Sequence, residues 1–201
     1  MEQKPAVASH PLDAGQFKIG MRTLAGAVNI ITSMHAGHRY GMTATAVCSA
    51  TADPPTVLAC INKLASTHNA VAKSKVFCVN VLRAEDWQLS TAFSGAQSGD
   101  SRFKNGNWTR LATGAPVLID ALVSFDCRVV KTLAHGSHTV FLGQVEQMLI
   151  GQKGKPDGRD GDARAMHEVD AEELHEAHAR GDGEEVRRHD DADARVELQA
   201  R

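Results

Sequence analysis

Aromatic residues are scarce in this chain, at 4% of 201 residues, and none occurs after Phe141. The final segment, 153–201, also has few large aliphatic side chains, and its net charge is −6 against +4 for residues 1–152. A segment with so little apolar surface cannot offset the entropy lost when its chain is ordered. We therefore predict one folded domain over 1–152 and a charged, disordered tail over 153–201.

Several features that mark common protein classes are missing. The sequence has no run of 18 apolar residues and no secretory signal at its start, so we expect a cytoplasmic protein with no membrane contact. Its four cysteines form no C-x-x-C pair, which is consistent with reduced thiols. Neither G-x-G-x-x-G nor a P-loop motif occurs, and a basic patch with interleaved aromatic residues is absent. Any nucleotide must therefore bind differently, and we predict no nucleic-acid partner.

The tail contains His175-Glu176-Ala177-His178, one residue short of the H-E-x-x-H pattern that places two metal ligands on one helical face. A solvated polar helix is the alternative interpretation of these residues. We predict no metal site, and metal binding by the tail is the weakest of the functional hypotheses.

The remaining pattern predicts a mainly β protein. Apolar periodicity predicts a helix near 12–26. A hydroxyl cap at Ser66 or Thr67 predicts a short helix through about Lys73, and acidic residues in a first turn favour a helix over Ala84–Phe93. Short apolar runs predict strands over Val28–Ser33, Thr56–Ile61, Val76–Leu82, Val117–Val129 and Thr139–Ile150, with a long polar loop over Gly95–Gly114. About six strands joined mostly by short turns are typical of a small antiparallel barrel.

An ordered set of short motifs lies within this pattern. It comprises Arg39-Tyr40-Gly41-Met42-Thr43-Ala44-Thr45-Ala46-Val47-Cys48-Ser49, Asp53-Pro54-Pro55, Ser66-Thr67-His68, Phe77–Leu82, Arg102-Phe103, Thr113–Leu118 and Gly136–Gly143. In order and spacing the set resembles the flavin reductase family from about Phe17 to Ile150. The resemblance implies an antiparallel split β-barrel of Greek-key type, with a few short helices, that forms a homodimer. It also implies reduction of FMN or FAD by NADH or NADPH, and a partner flavin-dependent monooxygenase that receives the reduced flavin.

The resemblance places the flavin on the segment from Tyr40 to Pro55, and small residues there would let backbone groups approach the ring closely. The flavin-ring residues that it implies are Thr43, Ala44, Thr45, Ala46, Val47 and Ser49. An ordinary β-rich core strand is the alternative interpretation of this segment. Downstream, a predicted helix start carries the cluster of Asn62, Lys63, Ser66 and Thr67. The free amides of such a helix start can donate hydrogen bonds to a phosphate or to a capping hydroxyl. The resemblance adds His68 to this group.

Hydride transfer between stacked rings needs positioning more than a strong acid or base, so no catalytic triad is expected. By resemblance, His138 orients the reacting pair as the catalytic residue, while Arg102 and Phe103 lie in a loop that covers the site. The family usually has Asp where this chain has Ser137, and a turn histidine facing water is the alternative for His138. A flavin-binding or storage module without nicotinamide turnover is the alternative function.

Overall fold

The computed structural model describes residues 11–96 and 99–151, and the predicted tail lies outside these residues. The helices are α1 (Ala14–Met21), α2 (Ser66–Ser74) and α3 (Trp87–Thr91). The strands are β1 (Asn29–His35), β2 (His38–Ala44), β3 (Val47–Ala52), β4 (Pro55–Asn62), β5 (Val76–Val81), β6 (Trp108–Arg110), β7 (Pro116–Leu118), β8 (Val123–His135) and β9 (His138–Ile150). None of the helices described reaches the length that a membrane crossing needs.

One antiparallel sheet dominates the fold, in the order β2-β1-β5-β8-β9-β4-β3. Its two outermost strands, β2 and β3, are joined only by Thr45 and Ala46. β2 pairs with β1 as far as Ala44, and β3 pairs with β4 from Val47 onward. The strand therefore bends once, changes partner and closes the sheet into a barrel. This architecture confirms the predicted antiparallel β-barrel with few short helices.

The barrel interior is filled by aliphatic and aromatic side chains that alternate along the strands. Its core includes Ile31, Ile61, Val71, Phe77 and Phe141, each no more than 1% exposed. A second buried cluster lies outside the barrel and contains the side chains of α3 and the segment that follows it. This second layer explains why the loop after α3 is held against the sheet.

The predicted helix near 12–26 is shorter in the structure. α1 ends at Met21, and the Asp13 carboxylate caps it by accepting a hydrogen bond from the Gln16 amide at 2.8 Å. No residue of α1 is buried, and Phe17 is 56% exposed. The apolar spacing predicted the helix correctly, but its apolar face has no packing surface within the described residues that would extend it.

The segment predicted as one helix over Ala84–Phe93 is divided into three parts. A 3₁₀ turn over Ala84–Asp86 leads into α3, and a wider π-type turn over Ala92–Ala96 follows. The predicted polar loop over Gly95–Gly114 also contains structure, namely a 3₁₀ helix over Gly99–Lys104 and strand β6. These breaks bring Phe93 and the later Arg102 to the same side of β2.

The prediction of one strand over Val117–Val129 is wrong. β7 ends at Leu118, and a turn separates it from β8, which begins at Val123. The alternation did not reveal the turn, because Ala121 within it is 1% exposed and so satisfies the same apolar pattern as a strand residue.

Two of the four polar positions in this segment are buried rather than solvent-facing, whereas Arg128 is exposed and Asp120 is half-buried. Ser124 and Asp126 have no exposed surface because other polar groups cover them. The Ser124 hydroxyl donates to Asn80 Oδ1 at 2.9 Å, and Asp126 accepts the Thr113 amide at 2.8 Å. Buried polar groups that are hydrogen-bonded in this way carry little penalty, so both faces of β8 can be covered.

Candidate functional site

A cleft opens between β2, the start of α2 and the π-type turn after α3. It is lined by Gly41, Met42, Thr43, Ala65, Ser66, Thr67, Phe93, Ser94, Gly95 and Arg102. Its empty space, which includes open solvent at the mouth, is about 350 Å³. Of the predicted site residues, Thr43, Ser66, Thr67 and Arg102 are therefore brought together here.

The β2 wall of the cleft is shallow because Gly41 has no side chain. A Cβ at this position would lie 2.5 Å from Cε1 of Phe93 and 3.2 Å from Cζ of Phe103. The Thr43 hydroxyl donates to the Ser90 carbonyl at 2.6 Å, which ties the end of β2 to α3. The wall therefore combines a flat backbone surface with an aromatic ring packed directly against it.

The bend between β2 and β3 carries further predicted residues. Thr45 and Ala46 are exposed and lie outside both strand ladders. Their carbonyls accept the Val47 and Cys60 amides at 2.9 and 3.0 Å, and the Asn29 side chain donates to the Ala44 carbonyl at 3.2 Å. The bend is thus fixed by hydrogen bonds to its carbonyls, and its two residues stay accessible to a ligand.

The start of α2 differs from the prediction that Ser66 or Thr67 caps the helix. Ala65 occupies the cap position and makes no side-chain hydrogen bond to the helix. The amides of Ser66 and Thr67 have no acceptor within the helix, since the first turn of an α-helix cannot pair its own donors. Both residues line the cleft, so these donors and the positive end of the helix dipole favour an anion there.

Arg102 is the one cation among the lining residues, and no carboxylate lines the cleft. Its side chain is buried, with Nη1 donating to the Gly41 carbonyl at 2.6 Å. Phe103 lies behind this wall, where its ring meets those of Phe93 and Trp108 at centroid distances of 5.0 Å each. Phe103 therefore supports the cleft from behind. The local charge suits a ligand that carries phosphate.

The other predicted residues form a second group at the end of the barrel. Asn62 pairs across strands with His138, and the His138 Nδ1 atom lies 2.9 Å from the Ser137 hydroxyl. Lys63 donates through Nζ to the Gly136 carbonyl at 2.7 Å, and His68 Nε2 lies 2.9 Å from the Thr139 hydroxyl. None of these side chains lines the cleft. They connect the β8–β9 turn to the segment that begins α2.

The remaining predicted residues of the Tyr40–Pro55 segment differ in their surroundings. Ala44 is half-buried at the end of β2, Val47 packs partly against the barrel core, and Ser49 is exposed on β3. Gly41, Met42 and Ala65 line the cleft beside predicted residues but were not themselves predicted. Phe93, Ser94 and Gly95 were also missed, because they come from the π-type turn, where the sequence predicts the end of a helix. Gly95 has a φ of 111°, and a glycine after a helical run is the one signal that could have indicated a change of direction here.

Titratable metal ligands do not cluster within residues 11–96 and 99–151, since no three His, Cys, Asp or Glu side chains come together there. Burial raises the pKa of the Cys60 thiol and, more strongly, that of Cys127. Both thiols are therefore poor nucleophiles at neutral pH.

The split-barrel geometry and this anion-favouring cleft together define a class of protein. The model of the flavin reductase like domain matches residues 21–163, and the chain therefore belongs to the flavin reductase family, as the motif order predicted. It is similar to the FMN reductase (NADH) RutF of Acinetobacter baylyi, with 48% identity over 135 residues that cover 67% of this chain and 72% of that protein.

Two solved structures share the fold. The NADH:FAD oxidoreductase SgcE6 of Streptomyces globisporus C-1027 is 28% identical, with a TM-score of 0.68 over 73% of this chain and 89% of that one. Nitrilotriacetate monooxygenase component B from Mycobacterium thermoresistibile is 27% identical, with a TM-score of 0.66 over 71% of this chain and 78% of that one.

Proposed function

We propose that this protein reduces a flavin with NADH or NADPH and releases the reduced flavin to a flavin-dependent monooxygenase. The observation that supports this proposal most directly is the cleft between β2 and α2. The first amides of α2, the buried cation Arg102 and the flat wall at Gly41 meet there, and no carboxylate lines the cleft. When bound, the flavin supplies the ring that accepts hydride. The relatives that use NADH, one with FMN and one with FAD, support NADH as donor and leave both flavins as candidates.

The start of α2 fits the phosphate end of a flavin. Ser66 and Thr67 offer two main-chain donors and two hydroxyls at one edge of the cleft. A hydrogen bond to a charged group contributes about 1.5–3 kcal/mol, so Ser66→Ala is expected to weaken flavin binding about tenfold to a hundredfold. Lys63 supports this site indirectly, because its ammonium donates a hydrogen bond to the β8–β9 turn. Lys63→Gln is therefore expected to weaken flavin binding by a similar or smaller factor.

The bend between β2 and β3 fits the polar edge of the ring. Thr45 and Ala46 are exposed between the two ladders, and small side chains at Ala44 and Ala46 leave room for close approach. Arg102 and Phe93 line the neighbouring cleft, whose lining on β2 ends at Thr43. A flat ring that lies in the cleft with its polar edge at the bend would be shielded from water on one face and open to a nicotinamide on the other.

His138 is proposed to orient the nicotinamide. Ser137 holds one ring nitrogen at 2.9 Å, which leaves Nε2 available on a half-buried side chain. His138→Asn is therefore expected to lower kcat/KM for NADH without changing flavin affinity. An equal kcat/KM in this variant would favour the turn-histidine alternative.

A direct assay separates the enzyme from its alternative. Purified protein is mixed with NADH and with FMN or FAD, and the nicotinamide absorbance band is followed against a protein-free control. Loss of the band at a rate proportional to protein supports the reductase. Flavin binding, seen by quenched flavin fluorescence, without loss of the band would instead indicate a flavin-binding or storage module.

A homodimer is proposed through the outer face of the sheet. This outer sheet face consists of apolar side chains that alternate with core residues, namely Leu58, Cys60, Val140 and Leu142, together with Leu133, the cross-strand partner of Val140. Leu133 is 64% exposed, and α2 packs instead on β1 and β2. Apolar patches of this kind are typical of stable subunit contacts. Sedimentation should show a dimer that Leu133→Glu weakens and Ile19→Glu, on exposed α1, leaves intact.

A further inference from the structure

One face of β2 contacts the cleft wall that is formed by the π-type turn and by Arg102 of the 3₁₀ helix. Arg39, Gly41 and Thr43 lie two positions apart, so they face the same side of the strand. Thr43 binds the Ser90 carbonyl, and the Gly41 carbonyl accepts Arg102 Nη1, each at 2.6 Å. Arg39 continues this row toward the end of the barrel.

Arg39 contacts the 3₁₀ helix of Gly99–Lys104 at two points. Its Nε and Nη2 atoms donate to the two carboxylate oxygens of Asp100 at 2.6 and 2.5 Å, which is a paired, planar arrangement. The guanidinium carbon also lies 4.6 Å from the centroid of the Phe103 ring. Asp100 and Phe103 flank Arg102, so Arg39 binds the helix on both sides of the cation that lines the cleft.

The wall has few internal means of fixing its own position. It consists of a π-type turn and a 3₁₀ helix, whose hydrogen-bond geometry is poorer than that of an α-helix. Gly95 and Gly99 have φ values of 111° and 57°, in the left-handed region. Contacts from outside the wall, made by β2 and by the second buried cluster, must therefore set where Phe93 and Arg102 lie.

The pKa values of Arg39 and Asp100 are both shifted in the direction that favours the charged pair. The Arg39 hydrogen bonds lower the pKa of Asp100, and His38 and Lys104 act on it in the same direction through their charge. The same hydrogen bonds raise the pKa of Arg39. Because the Asp100 side chain is 67% exposed and that of Arg39 29%, the pair is accessible to salt, and its contribution is expected to fall as ionic strength rises.

We propose that Arg39 is a positioning residue for flavin binding, which holds Asp100 and Phe103 so that Arg102 and Phe93 stand in the cleft wall. The inference rests on the proposed function, because it takes the ligand of this cleft to be the flavin. Arg39 does not line the cleft and takes no part in hydride transfer. Its effect is therefore on flavin affinity and not on the rate of the bound complex.

The test compares Arg39→Gln, Asp100→Asn and the exchanged pair Arg39→Asp with Asp100→Arg. The matched control is Arg128→Gln, which removes a second two-point pair, since Arg128 binds Glu146 at 2.5 and 3.2 Å on β8 and β9. Flavin Kd is measured by fluorescence quenching at low and high salt, KM and kcat by NADH oxidation, and the melting temperature by circular dichroism.

Arg39→Gln is expected to raise flavin Kd and flavin KM about fivefold to tenfold, with kcat at saturating flavin within about twofold of the wild type. Asp100→Asn should act in the same direction. The exchanged pair should restore at least half of the lost affinity, and Arg128→Gln should leave Kd unchanged. The wild-type Kd should rise with salt more steeply than that of Arg39→Gln.

Two results overturn the inference alone. In one, the wild type binds flavin and Arg39→Gln binds it equally well. In the other, Arg39→Gln lowers the melting temperature well beyond Arg128→Gln and the exchanged pair restores no affinity, which would make Arg39 a general stability residue. A wild type that binds neither FMN nor FAD would overturn the proposed function as well.

Discussion

Gly41→Ala tests whether the cleft wall is set by close packing against β2. The added Cβ would lie 2.5 and 2.8 Å from Cε1 and Cδ1 of the Phe93 ring, where ordinary contacts between carbon atoms are 3.5–4.0 Å. The ring must therefore move by about 1 Å. Phe93 is 1% exposed and is packed against Phe103, so it can move most easily toward the cleft.

Overpacking of this kind costs about 1–3 kcal/mol of unfolding free energy. For a domain of this size each kcal/mol corresponds to about 2–4 °C, so the melting temperature of Gly41→Ala should fall by about 2–12 °C. A ring displaced into the cleft should also raise flavin Kd at least about tenfold, which is about 1.4 kcal/mol of binding free energy.

Gly143→Ala is the matched control. Its Cβ would meet the Phe77 ring at 2.5 Å from Cε1, inside the barrel and away from the cleft. Both variants should lose comparable stability in thermal unfolding, but only Gly41→Ala should lose flavin affinity in a fluorescence titration. If both bind flavin like the wild type, or if Gly41→Ala is as stable as the wild type, the packing argument is refuted.

Three other expectations follow from single side chains. In Leu133→Glu, which is expected to weaken the proposed dimer, the exposed Cys48 beside Leu58 of the outer sheet face should react with a thiol reagent in the folded protein, whereas Cys127 is buried, has a raised pKa and should react only after unfolding; equal rates would contradict the fold. Asn80 is fully buried and bonded to the Ile30 carbonyl and the Leu118 amide at 3.0 and 2.7 Å, so Asn80→Ala should cost at least about 2 kcal/mol in urea unfolding, and a smaller loss would count against this network. The Asp100 carboxyl should titrate below its ordinary value of about 3.9 in an NMR experiment, so that its contribution is present above that pH and lost on acidification through the lowered pKa. Its midpoint should return toward the ordinary value in Arg39→Gln.

Strand positions were predictable wherever one face of a strand packs on the barrel interior. Thr56–Ile61 and Val76–Leu82 coincide with β4 and β5 to within one residue at each end, because each is a short and mostly apolar run. The failure at Val117–Val129 has a different cause. A turn that buries Ala121 keeps the apolar spacing of a strand, and the buried polar partners of Asp126 come from a distant part of the chain.

The candidate site was predictable on one side only. Ser66 and Thr67 could be placed at a helix start from local sequence, although the structure shows Ala65 at the cap and so leaves both residues facing the cleft. The opposite wall depends on contacts between residues about 50 or more positions apart, such as Thr43 with Ser90 and Gly41 with Arg102. Local propensity carries no information about such contacts, and the turn that brings Phe93 into the wall therefore went unpredicted.

The position of β2 couples stability to binding in this fold. Met42 packs against the barrel core and also lines the cleft, while its neighbours Gly41 and Thr43 hold the opposite wall. Directly after them the strand bends at Thr45 and Ala46, where the barrel closes. A change at this strand therefore acts on the core, the wall and the closure together. The outward-facing Arg39 is an exception, since it touches the wall without entering the core, and the affinity of the cleft can be altered there at little cost to the barrel.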